Sequence, residues 1–245
     1  MFDHLTIRAA SREASERFYD TVLEPLGAGT TLRGKSFSEW DEFGLAAASD
    51  AHPVTSGLHV AFLASTREHV DAFWQAGIDA GHPDDGAPGE RPQYHPGYYG
   101  AFLRDPDGNS IEAVHGGAST RDSGQLIDHV WLRTTDLRAI TAFYTLLADS
   151  AGLVVRYAEA DRSTFAARDG SGSFSFVPGD VASRNVHMAF AGTEEVVRAF
   201  HANAVAAGYR DHGGPGERPE YHPGYYGAYV LDPDGHNIEV VDHHR

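Results

Sequence analysis

The chain has 245 residues, 41% of them hydrophobic and 22% charged, with a formal net charge of −16 at pH 7. These proportions are typical of a globular protein, and the negative charge argues against binding nucleic acid or an anionic membrane surface. The absence of cysteine excludes disulfides and thiolate metal sites. No apolar run approaches the roughly 18 residues of a membrane span, and the N-terminal sequence lacks the features of a signal peptide. We therefore expect a cytoplasmic protein.

The first residues predict a strand followed by a helix. Phe2–Arg8 alternates in polarity, which places His4 and the other even-numbered side chains on one face of the strand. Ser11 is positioned to cap a helix that extends to about Leu26, and Gly27 is a natural stop for it. Short strands are expected in the next twenty residues.

The same order of elements then begins again. His59–Leu63 reads as a strand, and Ser65 with Glu68 forms a capping box for a helix that runs to about Ala80. A strand, a helix and several strands thus occur twice before residue 115.

One stretch of this region returns near the C-terminus. Gly89–Val114 and Gly216–Val241 share 19 identities in 26 positions, so the chain is a tandem duplication. In the first copy, Gly89–Gly97 reads as an ordered loop. Tyr98–Leu103 and Ser110–Val114 read as strands separated by the turn sequence DPDG.

The second half repeats the whole scheme. Ile127–Arg133 and Val186–Phe190 predict strands, and Asp136 and Thr193 are positioned to cap the two helices that follow them. The small polar segment His115–Gln125 reads as a linker.

These patterns predict the domain organisation and the fold class. We expect an α+β protein of two domains, over residues 1–118 and 125–245, each containing two units of the order strand, helix, several strands.

Each half also carries two histidines and one glutamate at matching places in this scheme. The separations between the halves are 125, 128 and 127 residues for the three pairs. The residues are His4, His59 and Glu112 in the first half, and His129, His187 and Glu239 in the second. If the strands line a concave sheet, each set converges, and two imidazoles with one carboxylate suit a divalent metal, most characteristically non-haem Fe(II). The alternative is that duplication copied hydrogen-bonded structural residues.

The sequence resembles the vicinal oxygen chelate superfamily, which contains glyoxalase I, extradiol dioxygenases, fosfomycin-resistance enzymes and bleomycin-binding proteins. The resemblance covers nearly the whole chain. It rests on the opening strands FDHLTIRA and LIDHVWLRT, the helix sequences RFYDTVLEPLG and AFYTLL, the second strands HVAF and HMAF, and the closing motifs YYGAFLRDPDGNSIEAV and YYGAYVLDPDGHNIEVV.

The resemblance implies tandem βαβββ units that form two cupped-sheet domains around divalent metal ions. It places the metal ligands at the same six residues. Glyoxalase I generally has a fourth protein ligand on the last strand of the first unit. The corresponding segments, residues 43–49 and 174–177, contain no carboxylate or amide. The three-ligand set therefore favours an extradiol-dioxygenase-like enzyme with Fe(II), although Mn, Ni, Co or Zn would also fit. A glyoxalase-like lyase or isomerase and a metal-free bleomycin-resistance-type binding protein are the alternatives.

Five further residues are candidates for catalysis. His95 and His222 lie in the loop YHPGYYG, where each could serve as an acid or base or could hold its own turn together. Tyr98 and Tyr225 could line the pocket or simply pack. Tyr229 resembles a strand tyrosine that assists extradiol chemistry, but the first half has phenylalanine at that place. The expected partner is a small-molecule substrate, with no nucleic acid and no membrane, and a homodimer is left open.

Overall fold

Strands and helices alternate in four similar groups. The computed structural model describes residues 2–116, 125–148, 150–168 and 170–244. The first group comprises β1 (Phe2–Ala9), α1 (Arg12–Leu23), β2 (Leu32–Arg33), β3 (Phe37–Trp40) and β4 (Phe43–Ala47). The second comprises β5 (His59–Leu63), α2 (Arg67–Asp79), β6 (Asp84–Glu90), β7 (Tyr99–Arg104) and β8 (Ser110–His115).

The second half of the chain contains the equivalent elements, which confirms the predicted α+β fold of tandem units. The third group comprises β9 (Ile127–Thr134), α3 (Leu137–Leu147), β10 (Leu153–Ala158), β11 (Ser163–Ala167) and β12 (Ser173–Pro178). The fourth comprises β13 (His187–Ala191), α4 (Glu194–Ala206), β14 (Arg210–Glu217), β15 (Tyr226–Leu231) and β16 (Asn237–Asp242). Among the described helices, none is long and apolar enough to cross a membrane.

The helices begin where short polar side chains cap them. The side chains of Ser11, Asp136 and Thr193 each accept a hydrogen bond from a backbone N–H in the first turn, as predicted. The predicted cap of α2 is wrong by one residue. Thr66, not Ser65, is the N-cap and accepts from the backbone N–H of His69 at 3.3 Å.

The strands form two eight-stranded sheets. Their strand orders are β14-β15-β16-β13-β1-β4-β3-β2 and β10-β11-β12-β9-β5-β8-β7-β6. Each order contains one group from the first half of the chain and one from the second. Each sheet therefore combines strands from both halves of the chain.

Two compact units divide the chain, and their boundaries fall inside β1 and β9. The first compact unit is Thr6–Trp131, and the second is Met1–Leu5 together with Leu132–Arg245. The first five residues thus belong with the second half of the chain, and the start of β9 belongs with the first half. The domain limits 1–118 and 125–245 stay a prediction, and most of the expected linker at 115–125 lies outside the described residues.

Each unit has an aromatic core under its helices. In the first compact unit, Tyr19 of α1 packs on Phe43 with ring centroids 4.7 Å apart. Its hydroxyl donates to Asp105 of the DPDG turn at 3.0 Å. In the second compact unit, Tyr144 of α3 packs on Phe176 at 5.1 Å and donates to Asp232 at 3.0 Å. These hydrogen bonds fix the turn that precedes β8 in one unit and β16 in the other.

Two strands were not predicted. β6 and β14 contain the sequences DDGAPGE and RDHGGPGE, in which glycine and proline obscure any alternation. Both are edge strands whose pairing is interrupted by irregular register, where proline removes no essential ladder hydrogen bond. The expected loop at Gly89–Gly97 therefore begins within β6.

Candidate metal centres

The six predicted ligand residues lie in two groups of three. His59, Glu112 and His129 form one group, here the His59 site, and His4, His187 and Glu239 form the other, here the His4 site. In each group the candidate ligand atoms all lie within 4.8 Å of one another.

The grouping corrects the assignment of one histidine per half. His4 was expected with His59 and Glu112 but lies with the residues of the second half, and His129 lies with those of the first. The reason is the strand order, because β1 lies beside β13 and β9 lies beside β5. Alternation along a strand predicts the face of a histidine but does not predict which strand becomes its neighbour.

In the His59 site, the carboxylate lies between two imidazoles. Glu112 Oε2 is 3.1 Å from His59 Nε2 and 3.6 Å from His129 Nε2. Glu112 is 1% exposed, whereas both histidines are partly exposed. The site thus has a buried carboxylate and two partly exposed imidazoles.

The strand register brings these three residues together. β5 runs parallel to β8 and antiparallel to β9, so that Ala61 faces Glu112 on one side and His129 on the other. The small side chain of Ala61 leaves the space between them open. Gly100 on β7 also leaves room for the carboxylate, because a Cβ there would lie 2.5 Å from Glu112 Oε1.

The His4 site repeats this arrangement in the second compact unit. Glu239 Oε2 is 3.1 Å from His187 Nε2 and 3.6 Å from His4 Nε2, and the two imidazole nitrogens are 2.9 Å apart. Ala189 faces Glu239 in the parallel pair of β13 and β16. Gly227 takes the place of Gly100, with a built Cβ 2.7 Å from the carboxylate oxygen.

These separations fit a shared divalent ion. Two ligand atoms about 2.0–2.2 Å from one ion, at angles between 90° and tetrahedral, are about 3–3.5 Å apart. The carboxylate–imidazole separations in both sites and the imidazole–imidazole separation in the His4 site range from 2.9 to 3.6 Å. Two imidazoles with a carboxylate are also a donor set typical of first-row transition metals.

Burial and hydrogen bonding in the His4 site favour a neutral His187 imidazole beside an ionised Glu239 carboxylate. Burial lowers the pKa of His187, and it outweighs the nearby Glu239 carboxylate, which raises it. Burial would raise the pKa of Glu239, but hydrogen bonding to His187, the charge of His4 and hydrogen bonding to Tyr225 outweigh it, so that the pKa is lowered. At neutral pH, therefore, neither His187 nor Glu239 has to lose a proton before it binds a metal.

The His59 site differs at His129. Burial lowers the pKa of His129, but the hydrogen bond from its ring to Asp128 and the charges of Glu112 and Asp128 raise it by more. The net effect is a raised pKa. Metal binding at this site is therefore expected to compete with a proton on His129 at a higher pH than at His187.

Each opening strand supplies a second carboxylate that sequence reasoning missed. Asp3 Oδ1 accepts from His4 Nδ1–H at 2.8 Å, and Asp128 Oδ2 accepts from His129 Nδ1–H at 2.8 Å. Such a bond keeps the ring hydrogen on Nδ1 and leaves the Nε2 lone pair free to bind a metal. The repeated dipeptide Asp-His was the available signal.

Two of the predicted catalytic tyrosines contact the carboxylate ligands. The hydroxyl of Tyr98 donates to Glu112 Oε1 at 2.7 Å, and that of Tyr225 donates to Glu239 Oε1 at 2.6 Å. Burial and the adjacent glutamates raise the pKa of both tyrosines, which keeps the phenols protonated as donors. Each tyrosine thus binds one carboxylate oxygen and leaves the other facing the imidazoles.

The other three predicted residues lie outside the ligand groups. His95 and His222 each place Nδ1 within 3.0 and 2.8 Å of the carbonyl oxygen of the following proline, which stabilises their own turns. Tyr229 faces Glu239 across the β15–β16 pair, and its ring centroid is 6.3 Å from that of His187. Their roles in catalysis stay predictions.

Comparison with known proteins identifies the family. The sequence profile of the Glyoxalase/Bleomycin resistance protein/Dioxygenase superfamily matches residues 126–240. A glyoxalase/bleomycin resistance protein from Albidiferax ferrireducens T118 is 37% identical over 47% of this chain and 98% of its own, with a TM-score of 0.43. The comparison with curated proteins gave no match.

Two solved structures share the fold over almost the entire chain. Glyoxalase I from Zea mays is 17% identical, covers 99% of this chain and 92% of its own, and has a TM-score of 0.67. A putative dioxygenase from Bacillus subtilis subsp. subtilis str. 168 is 17% identical, covers 98% of this chain and 84% of its own, and has a TM-score of 0.61. The profile match, the 37% identity to the Albidiferax ferrireducens protein over 98% of its length, and the internal duplication together show that the chain belongs to the Glyoxalase/Bleomycin resistance protein/Dioxygenase superfamily.

Proposed function

We propose that the protein is a metal-dependent enzyme with two metal centres per chain, each acting on a small oxygenated substrate. The observation that supports this most strongly is the repeated group of two imidazoles and one carboxylate with donor separations suited to one ion. Two units that kept the same donor set after divergence support a metal role better than a metal-free binding role.

Extradiol-dioxygenase-like chemistry with Fe(II) is the reaction that we favour. A bound divalent ion would supply Lewis acidity and an oxygen-activating centre for a substrate with two vicinal oxygens. With three protein ligands, such a site leaves positions open for substrate and O₂. Within the described residues, neither candidate group includes a fourth histidine or carboxylate, and β4 and β12 supply no member.

The residues of the chain have separate roles in this proposal. The two histidines and the glutamate of each site hold the ion, and the glutamate also balances part of its charge. Tyr98 and Tyr225 keep the carboxylate in one orientation through hydrogen bonds of 2.7 and 2.6 Å. Tyr229 is the remaining candidate for direct contact with substrate, since it faces Glu239 in the strand register.

An activity assay on defined metal forms tests the proposal. Metal-free protein would be reconstituted anaerobically with Fe(II), Mn(II), Ni(II) or Zn(II), and the bound metal would be counted by elemental analysis. Each form would then be given a panel of catechols with O₂, or the hemithioacetal of methylglyoxal and glutathione. We expect O₂ uptake equal to the catechol consumed, with the Fe(II) form the most active.

The other outcomes assign the alternatives. Isomerisation of the hemithioacetal without O₂ uptake would favour a glyoxalase-like lyase and contradict the dioxygenase assignment. Background metal content in every reconstitution, combined with tight binding of a small molecule, would contradict the enzyme proposal and favour a metal-free binding protein.

A further inference from the structure

A chain of hydrogen bonds connects the His4 site to two histidines that are not ligands. Asp3 accepts from His4 Nδ1–H through Oδ1, and its other oxygen, Oδ2, lies 2.8 Å from His243 Nε2. His243 Nδ1 is in turn 2.8 Å from His222 Nε2, and His222 Nδ1 is 2.8 Å from the carbonyl oxygen of Pro223. The imidazole rings of His222 and His243 are stacked, with an interplanar angle of 16°.

The donors and acceptors along these hydrogen bonds determine which ring nitrogens of His222 and His243 carry hydrogen. A carboxylate and a carbonyl oxygen can only accept, so His243 Nε2 and His222 Nδ1 must both carry hydrogen. The 2.8 Å contact between His243 Nδ1 and His222 Nε2 links the two rings, and His243 presents its Nε2–H to the carboxylate of Asp3.

Among the residues that the structure describes, the His59 site has no equivalent histidine pair. Asp128 binds His129 as Asp3 binds His4, but the position that matches His243 in the repeat is Gly116. Gly116 has a φ of +76°, and a Cβ there would lie 2.5 Å from the carbonyl oxygen of Gly97. A histidine cannot be placed at this position without moving the backbone. The two sites therefore share their ligands but differ in how the supporting aspartate is held.

We propose that the His222–His243 pair is a positioning element for the His4 site alone. By donating a charge-assisted hydrogen bond to Asp3, the pair fixes the carboxylate in the orientation that binds His4 Nδ1–H. His4 is then held in the tautomer whose Nε2 lone pair faces His187. Because this arrangement exists before a metal arrives, less conformational freedom is lost on binding, and the His4 site binds divalent metal more tightly than it would without the pair.

The test measures metal affinity at the His4 site in isolation, and it rests on the proposed metal-binding function. Glu112→Gln in the full chain disables the His59 site and gives the reference protein. Zn(II) affinity would be measured by chelator competition for the reference and for His243→Ala and His222→Ala in the same background. We expect His243→Ala to weaken binding by about 10-fold, the lower end of the range for removing the direct partner of a metal-bound histidine, because His243 acts on His4 only through Asp3.

Two further variants separate positioning from a general effect on the fold. His243→Gln keeps an N–H donor within reach of Asp3, so it should recover most of the lost affinity. His244→Asn removes the neighbouring imidazole, which pairs with Asp242 and not with Asp3, and should change the affinity less than twofold. Imidazole ¹⁵N NMR of the metal-free reference should show His243 protonated at Nε2 and His4 protonated at Nδ1. His243→Ala should mix the two tautomers of His4.

The outcomes distinguish this proposal from the function on which it rests. If the reference protein binds no Zn(II), the metal-binding function is wrong. If the reference binds Zn(II) and His243→Ala binds it with unchanged affinity and an unchanged His4 tautomer, the metal site stands and the positioning role is wrong. An equal loss of affinity in His243→Ala and His244→Asn would also contradict the positioning role.

Discussion

Glu112→Gln is expected to reduce the bound metal from two ions per chain to one. The substitution removes the only anionic ligand of the His59 site and leaves a weaker amide oxygen to face the ion, whose 2+ charge is then less well balanced. The His4 site belongs to a separate set of residues and should keep its ion. Elemental analysis after reconstitution and desalting gives the count.

The metal-free protein should tolerate this change. An unpaired buried carboxylate would destabilise the metal-free protein, so that its removal would leave the thermal midpoint equal or higher. The structure shows that Glu112 is paired, since it accepts from Tyr98 at 2.7 Å and lies 3.1 Å from His59 Nε2. Glutamine can accept from the same tyrosine through its amide oxygen and donate to His59 Nε2 through its amide nitrogen, so we expect an unchanged midpoint.

Two observations complete this test. Glu239→Gln should remove the other ion, and Glu68→Gln on α2 should leave both ions bound. Two results together would contradict this account: metal-free Glu112→Gln unfolds, and the folded fraction of the reconstituted variant still binds two ions. Glu112 would then be a structural residue, and the proposed His59 site would be wrong.

His236→Asn is expected to protect the protein from acid. His236 is fully buried, its Nδ1 accepts from the backbone N–H of Val186, and its Nε2 has no hydrogen-bond partner within the described residues. Burial lowers the pKa of His236 to about 4. The unfolded chain gains a proton below about pH 6.5 and the folded chain does not until about pH 4.

The sign and size of the effect follow from this difference. Between pH 6.5 and 4 the unfolded state binds more protons, so the folded protein loses stability as the pH falls, by roughly 3 kcal/mol from this residue. The repeat supplies the replacement, because Asn109 at the equivalent position donates to Thr55 at 3.2 Å and to Asp105 at 3.0 Å. The unfolding free energy of His236→Asn should therefore equal that of the wild type near pH 7.5 and should exceed it by a growing margin as the pH falls to 4.5.

Chemical denaturation at several pH values measures this difference. The reverse exchange, Asn109→His in the first half, is the matched control and should add a comparable loss of stability in acid. A difference in unfolding free energy between His236→Asn and the wild type that stays constant from pH 7.5 to 4.5 would contradict the assigned protonation of His236.

The sequence predicts the helices and the opening and closing strands well because their signals are local. Ser11, Asp136 and Thr193 identify helix starts within one residue, and alternation identifies β1 and β9. β6 and β14 escape prediction because edge strands rich in glycine and proline have neither alternation nor β propensity.

The candidate sites were predictable in composition but not in grouping. The repeat identifies all six ligand residues, since each has an equivalent about 127 residues away. Which strand lies beside β1 depends on contacts distant in sequence, and no periodicity within a strand encodes them. The supporting role of Asp3 was hidden for a related reason, because alternation assigns adjacent residues of a strand to opposite faces.

Metal content of two double variants tests the grouping most directly. His4→Ala with Glu112→Gln removes one ligand from each site and should leave no bound ion, whereas His4→Ala with Glu239→Gln removes two ligands from one site and should leave one ion per chain. Both would be measured under reconstitution conditions in which each single variant retains one ion. If the first double variant keeps one ion and the second keeps none, the ligands are grouped by halves of the chain and the arrangement described here is contradicted.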